Sequence, residues 1–105
     1  MASGLLGKAA LAANTDTVLY TTPAGRVTTA TVSICNTTAS AITTNLAVGT
    51  GSTAAAADYL AFNLSVPAGG FFERTGIALA AGENIIVKGT VAGLVARAHG
   101  FEESV

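Results

Sequence analysis

Apolar and polar residues alternate along this chain in short runs rich in Thr, Val, Ile and aromatics. That is the pattern of strands with one buried face. Eight segments carry it: roughly 5–12, 17–22, Arg26–Asn36, 41–48, Tyr59–Val66, 70–75, 84–88 and 94–101. Side chains two apart point the same way along a strand, so each run sorts into faces. In the third run Ala30, Val32 and Ile34 share one face, and Thr29, Thr31, Ser33 and Cys35 share the other. In the fourth, Ile42, Leu46 and Val48 group together. In the fifth, Leu60, Phe62, Leu64 and Val66 group opposite Tyr59, Asn63 and Ser65. In the last, Leu94, Ala96 and Ala98 oppose Arg97 and His99. One greasy and one polar face per strand predicts sheets packed on one side only. Eight such strands at short, regular spacing predict a sandwich or small barrel.

A turn phrase written three times punctuates these runs. It reads Tyr20-Thr-Thr-Pro-Ala-Gly-Arg26, Ser65-Val-Pro-Ala-Gly-Gly-Phe71 and Ala78-Leu-Ala-Ala-Gly-Glu83. Proline at the first corner pre-sets φ, and the closing Gly accepts φ > 0. Its glycines, Gly25, Gly69 and Gly82, are spaced 44 and then 13 residues apart, too irregular for a solenoid repeat. Residues 49–57 form the longest irregular stretch, a surface excursion whose Ala run suits a single helical turn. Residues 36–40 are a turn of small polar side chains. The expected fold is an all-β, single antiparallel β-sandwich of about eight short strands, jelly-roll-like, with an extended N-terminal arm. Residues 1–13 are the arm and 14–105 the sandwich domain.

Composition narrows the function more than it defines one. The chain has 105 residues, enough for one domain with a modest core. Only 10% are charged, against roughly 25% in an average soluble domain, and the net charge is −1. Such a surface associates readily with others. The basic residues Lys8, Arg26, Arg74, Lys88 and Arg97 are scattered, which argues against nucleic acid as a partner. No apolar run reaches the roughly 18–20 residues of a membrane-spanning helix. The start of the chain has a Lys inside its apolar stretch and a Gly-broken run, unlike a signal peptide. A single cysteine, Cys35, excludes an internal disulfide and fits a reducing cytoplasm.

Little chemistry remains. Cys35 and His99 would make a nucleophile and base only if a third group oriented them, and Asn36 or Glu102 would have to serve. The plainer reading makes Cys35 a small strand residue and His99 a surface or interface residue. One Cys and one His far apart match no zinc spacing. Glu102-Glu103 reads as a solvated tail. Residues 49–53, Gly-Thr-Gly-Ser-Thr, lack the Lys of a phosphate loop. Adjacent threonines point to opposite faces of a strand, so the Thr pairs build no regular ice-binding array. No catalytic residue, cofactor or metal is expected. The docking candidates are Leu5 and Leu6 of the arm, Phe71, Phe72 and Arg74, and Arg97 and His99 of the last strand. Aromatic residues and Arg are enriched in interface centres. Either one of Phe71 and Phe72 enters the core and the other remains exposed, or both are buried at a sandwich end.

Together these residues resemble a family. The string Thr17-Val-Leu-Tyr-Thr-Thr-Pro-Ala-Gly-Arg-Val-Thr-Thr-Ala-Thr-Val-Ser-Ile-Cys-Asn36 resembles the opening of small tailed-bacteriophage virion proteins. So do Ala57-Asp-Tyr-Leu-Ala-Phe-Asn63, Val66-Pro-Ala-Gly-Gly-Phe-Phe-Glu-Arg-Thr-Gly76 and Val95-Ala-Arg-Ala-His-Gly-Phe-Glu-Glu103. The resemblance spans about 14–103 and leaves the arm outside. It implies a β-sandwich structural subunit present in many copies, with no catalytic residues. The leading expectation is a capsid decoration or cement protein, a homo-oligomer bound to major capsid subunits in the virion and assembled in the host cytoplasm. A tail or baseplate component is the second reading. A carbohydrate-binding or host-adhesion module, stacking through Tyr20, Tyr59, Phe71, Phe72 or Phe101, is the third.

Overall fold

The backbone groups of the eight alternating runs satisfy one another in two antiparallel sheets. The computed structural model describes residues 3–104. Among them the strands are β1 (Ser3–Ala10), β2 (Thr17–Thr21), β3 (Arg26–Asn36), β4 (Ile42–Gly49), β5 (Tyr59–Val66), β6 (Phe71–Leu79), β7 (Asn84–Gly89) and β8 (Leu94–Ser104). Sheet A has the order β1-β8-β3-β6 and sheet B the order β2-β7-β4-β5. This interleaving of two four-stranded sheets is the eight-stranded jelly roll.

The chain changes sheet at every connection except β4 to β5. The three turn phrases are therefore corners between sheets, not hairpins. Each closes with one backbone bond: Arg26 N to Pro23 O at 3.3 Å, Gly70 N to Pro67 O at 2.9 Å, and Glu83 N to Ala80 O at 3.1 Å. These bonds put each proline one place before the first corner, not on it. Gly25, Gly69 and Gly82 take the third position at φ 75°, 67° and 82°. A side chain resists that region, so glycine recurs there.

Three elements depart from the alternation read along the chain. β6 continues to Leu79 across a bulge, with Gly76 at φ 70° restoring the pairing with β3. β8 continues to Ser104, so Glu102 and Glu103 belong to a strand and not to a tail. β5 slips twice against β4, pairing Leu64 with Thr44, Ala61 with Leu46, and Tyr59 with Ala47. Asn63 sits at φ 52° beside the slip, and its N–H donates to Asn45 Oδ1 at 2.7 Å. The slip turns Ala61 toward the core and leaves Leu60 and Phe62 exposed, so the expected four-residue apolar face of β5 is broken. The segment expected as an arm is also resolved locally. Ser3–Ala10 pairs with β8 of its own chain, and Leu6 and Ala9 pack against the core with Leu11 buried behind them.

The interior is thin and apolar. Ala30, Val32 and Ile34 of β3 and Leu94, Ala96 and Ala98 of β8 meet Ile42, Leu46, Ile85 and Val87 of sheet B. Two polar plugs close it. Near one end, buried Asn36 donates to Ser40 O at 2.8 Å and Val66 O at 3.0 Å. Its Oδ1 accepts from Thr38 N at 2.9 Å and Thr38 Oγ1 at 2.7 Å. Every hydrogen-bonding site of that amide is used, which is what makes its burial tolerable. At the other plug the hydroxyls run in series. Thr22 donates to Thr28 at 3.0 Å, Thr28 lies 3.0 Å from Tyr20 Oη, and Tyr20 donates to Glu102. Since Tyr20 gives its proton to Glu102, Thr28 is the donor to Tyr20. The series ties β2 of sheet B to β3 and β8 of sheet A.

Asn36→Ala is expected to lower unfolding free energy by about 2–3 kcal/mol, because buried carbonyls lose their donors. Thr37→Ala, which removes an exposed hydroxyl bond to Gly93 O of 2.8 Å, should cost under about 1 kcal/mol. Urea titrations of both variants measure the contrast. Tyr20 supplies a pH test. Burial, then the bond to Glu102, raises its pKa above the ordinary 10.0. A raised folded-state pKa means full stabilisation below pH 10 and loss as pH climbs through the folded value. Thermal melts from pH 8 to 11 should show that loss, and Tyr20→Phe should remove this component.

Candidate assembly surface

The outward side of sheet A follows from the pairing registers. β3 and β8 turn Ala30, Val32, Ile34, Ala96 and Ala98 inward, so the residues between them face out. Reading across β1, β8, β3 and β6, one rung is Ala10, Val95, Cys35 and Phe71. The next is Lys8, Arg97, Ser33 and Glu73. Leu5, His99 and Thr31 follow, opposite the β6 bulge. Ser3, Phe101, Thr29 and Ala78 complete the pattern. Phe71 is 68% exposed, Phe101 45% and Leu5 43%, so large apolar groups flank a charged rung.

The outward side of sheet B is different, because the chain roofs part of it. The connection from β4 to β5 crosses that face. Gly51 O accepts from Asn84 Nδ2 at 2.8 Å, and Ala54 N donates to Asp16 Oδ2 at 3.0 Å. A short 3-10 turn, Ala56–Asp58, ends the crossing, and Asp58 seats its carboxylate directly over Gly49. A side-chain carbon at Gly49 would stand 2.4 Å from Asp58 Oδ2, so a side chain there would displace that carboxylate. Ile86 and Ala47 point away from the core yet are only 2% and 1% exposed. Beside the roof, Tyr59 and Phe62 meet edge to face with ring centres 4.8 Å apart. With Ala56 they line a shallow apolar hollow of about 310 Å³.

Of the residues singled out in the sequence, Leu5, Phe71, Arg97 and His99 come together on the open face of sheet A. Leu6 lies at a bulge in β1 and packs against the core. Phe72, opposite Ile34, also packs against the core. Arg74, opposite Val32, is exposed on the free edge of sheet A. The single-chain reading passed over Lys8, Glu73 and Phe101 as members of this face. Only the cross-strand register places them beside the others.

Cys35 and His99 share the face but stand two rungs apart, with the Ser33–Arg97 pair between them. Neither group suggested to orient them can do so. The Asn36 amide is turned inward and fully bonded, and Glu102 accepts from Tyr20. Among the described residues, no three His, Cys, Asp or Glu side chains gather where they would hold a metal ion.

No protein-family model matches the chain, and no curated protein matches it. A solved structure that it is similar to is a pentameric capsid protein isolated from metagenomic phage sequences. The two share 22% identity with a TM-score of 0.45. The alignment covers 97% of this chain and 61% of that one.

Cys35 is exposed on the folded chain. In dilute solution its thiol should react with iodoacetamide without prior unfolding. Cys35→Ser should shift unfolding free energy by less than about 0.5 kcal/mol, as measured by urea titration.

Proposed function

We propose that this chain is a structural protein of a bacteriophage virion, a capsid decoration or cement subunit that acts as a homo-oligomer. The observation that carries the reading is a pair of separate exposed apolar patches, one on each sheet. One is the open face of sheet A with Leu5, Phe71 and Phe101; the other is the Tyr59–Phe62 hollow on sheet B. A bridging subunit needs two such sites, one for its own copies and one for the shell. The sparse charge, the β-sandwich and the resemblance to small phage virion proteins support the same reading. The partner on the sheet B side would be the major capsid protein.

Stabilisation would work by mass action. A protein that binds only the assembled shell lowers the free energy of that state by RT ln(1 + [L]/Kd). Small uncharged side chains allow close, dry contacts, which is where association energy concentrates. β1 takes no part as a free arm, because Ser3–Ala10 is paired with one edge of β8 and its Leu6 and Ala9 pack against the core.

Purified protein added to shells that lack it should raise the temperature at which they open. Phe62→Ser should weaken binding to shells about tenfold or more, while leaving the circular dichroism spectrum unchanged. Electron microscopy of labelled virions should show many copies spread over the shell. A label confined to a single ring on the tail would replace this reading with the baseplate one, and absence from virions would end both.

A further inference from the structure

The open face of sheet A has a ridge beside a furrow. On β8 the outward residues are Val95, Arg97, His99 and Phe101, the last three large. On β3, directly opposite, they are Cys35, Ser33, Thr31 and Thr29, all small. The charged rung is lopsided as well. Lys8 and Arg97 sit side by side on β1 and β8, an unfavourable like-charge pair, while Glu73 lies at the far edge on β6.

We propose that this face is the contact between two copies of the chain, packed face to face about a two-fold axis running along the strands between β3 and β8. That operation lays the β8 ridge of each copy into the β3 furrow of the other. It sets Phe101 over Thr29, Arg97 over Ser33 and Val95 over Cys35. It also brings Phe71 over Ala10 and places Glu73 over Lys8, so each copy supplies the anion that the other's cationic pair lacks. A two-fold axis along the rungs would instead stack ridge on ridge and Lys8 on Lys8. The chosen axis is isologous, so it closes the pair and leaves the sheet B hollows of both copies free. Four strands about 4.8 Å apart, each contributing some seven residues of about 3.4 Å, give a contact on the order of 1,000 Å² in total. That is the lower bound for a specific interface, so a weak, concentration-dependent dimer is expected. The pairing does not depend on what the dimer binds.

Sedimentation equilibrium of the full chain over a concentration series, at low salt, tests this. Wild type should follow a monomer–dimer equilibrium. Lys8→Glu and Glu73→Lys should each weaken it about fivefold or more, and the double variant should return to within about twofold of wild type. Within one molecule these residues occupy opposite edges of a four-stranded sheet, about 14 Å apart, so rescue has to act between copies. Ser33→Arg fills the furrow and should abolish the dimer; it decides the matter if an edge variant loses its β-sheet spectrum. Alkylation of Cys35 should slow in step with dimer formation as protein concentration rises. A monomer at every concentration, a dimer indifferent to Ser33→Arg, failure of two folded single variants to rescue each other, or a concentration-independent alkylation rate would each overturn the proposal.

Discussion

The pairing of β3 with β8 is the constraint on which the rest of the molecule depends. It runs without a bulge from Arg26 opposite Ser104 to Asn36 opposite Leu94. Among the described residues it is the longest unbroken pairing, and β1 with β8 joins segments still farther apart. Because side chains alternate, one choice of register decides two things together. It puts Ala30, Val32 and Ile34 level with Ala98, Ala96 and their neighbours inside, and it lays a row of large residues beside a row of small ones outside. A slip of one residue would bury Arg97 and His99 and expose the core. Such long-range pairing has to be formed before loop-closure entropy is recovered, so this fold belongs with slow-folding β topologies.

Small residues make that register possible. Gly100 lies where a side-chain carbon would stand 2.0 Å from Thr29 O, and Gly7 where it would stand 2.2 Å from Leu19 O. The first lets β8 lie close against β3, and the second lets β1 approach β2 at the corner where the sheets meet. Alanines along β8 keep the interior thin. A thin core provides limited burial energy, so the ends are sealed by polar groups that are all bonded. Among the described residues, no buried side-chain nitrogen or oxygen lacks a partner. The abundance of Ala, Gly and Thr is thus a packing requirement before it is anything else.

The two outward faces divide the remaining work. The second sheet is roofed in part by its own connection, held at Gly51, Ala54 and Asp58. The first is left open, with exposed phenyl rings and an asymmetric set of charges. A chain with so few charges gains little repulsion from its neighbours, and that suits a face of exposed apolar groups to close contact. That contrast supports docking as the molecule's business. The chemistry-bearing pair, Cys35 and His99, is held apart by the same register that builds the face.

Periodicity alone was enough for the eight strands, the faces of β3, β4 and β8 and the glycine-closed turns, because these depend on neighbours within a few residues. Val32 and Ile34 were assigned inward and Arg97 and His99 outward for that reason. The slip in β5 was not legible, since it depends on Asn63 taking a left-handed backbone and on what Asn45 offers across the sheet. Nor was the sheet change at each turn, because a type II corner looks the same in sequence whether it returns to its own sheet or crosses. The open face was visible only as fragments: Leu5, Phe71, Arg97 and His99 stood out as docking residues and Phe101 only as a stacking aromatic, while Lys8 and Glu73 did not. Their meeting is a property of register between strands far apart in the chain, and register is settled by how whole sheets pack, not by any one run of residues.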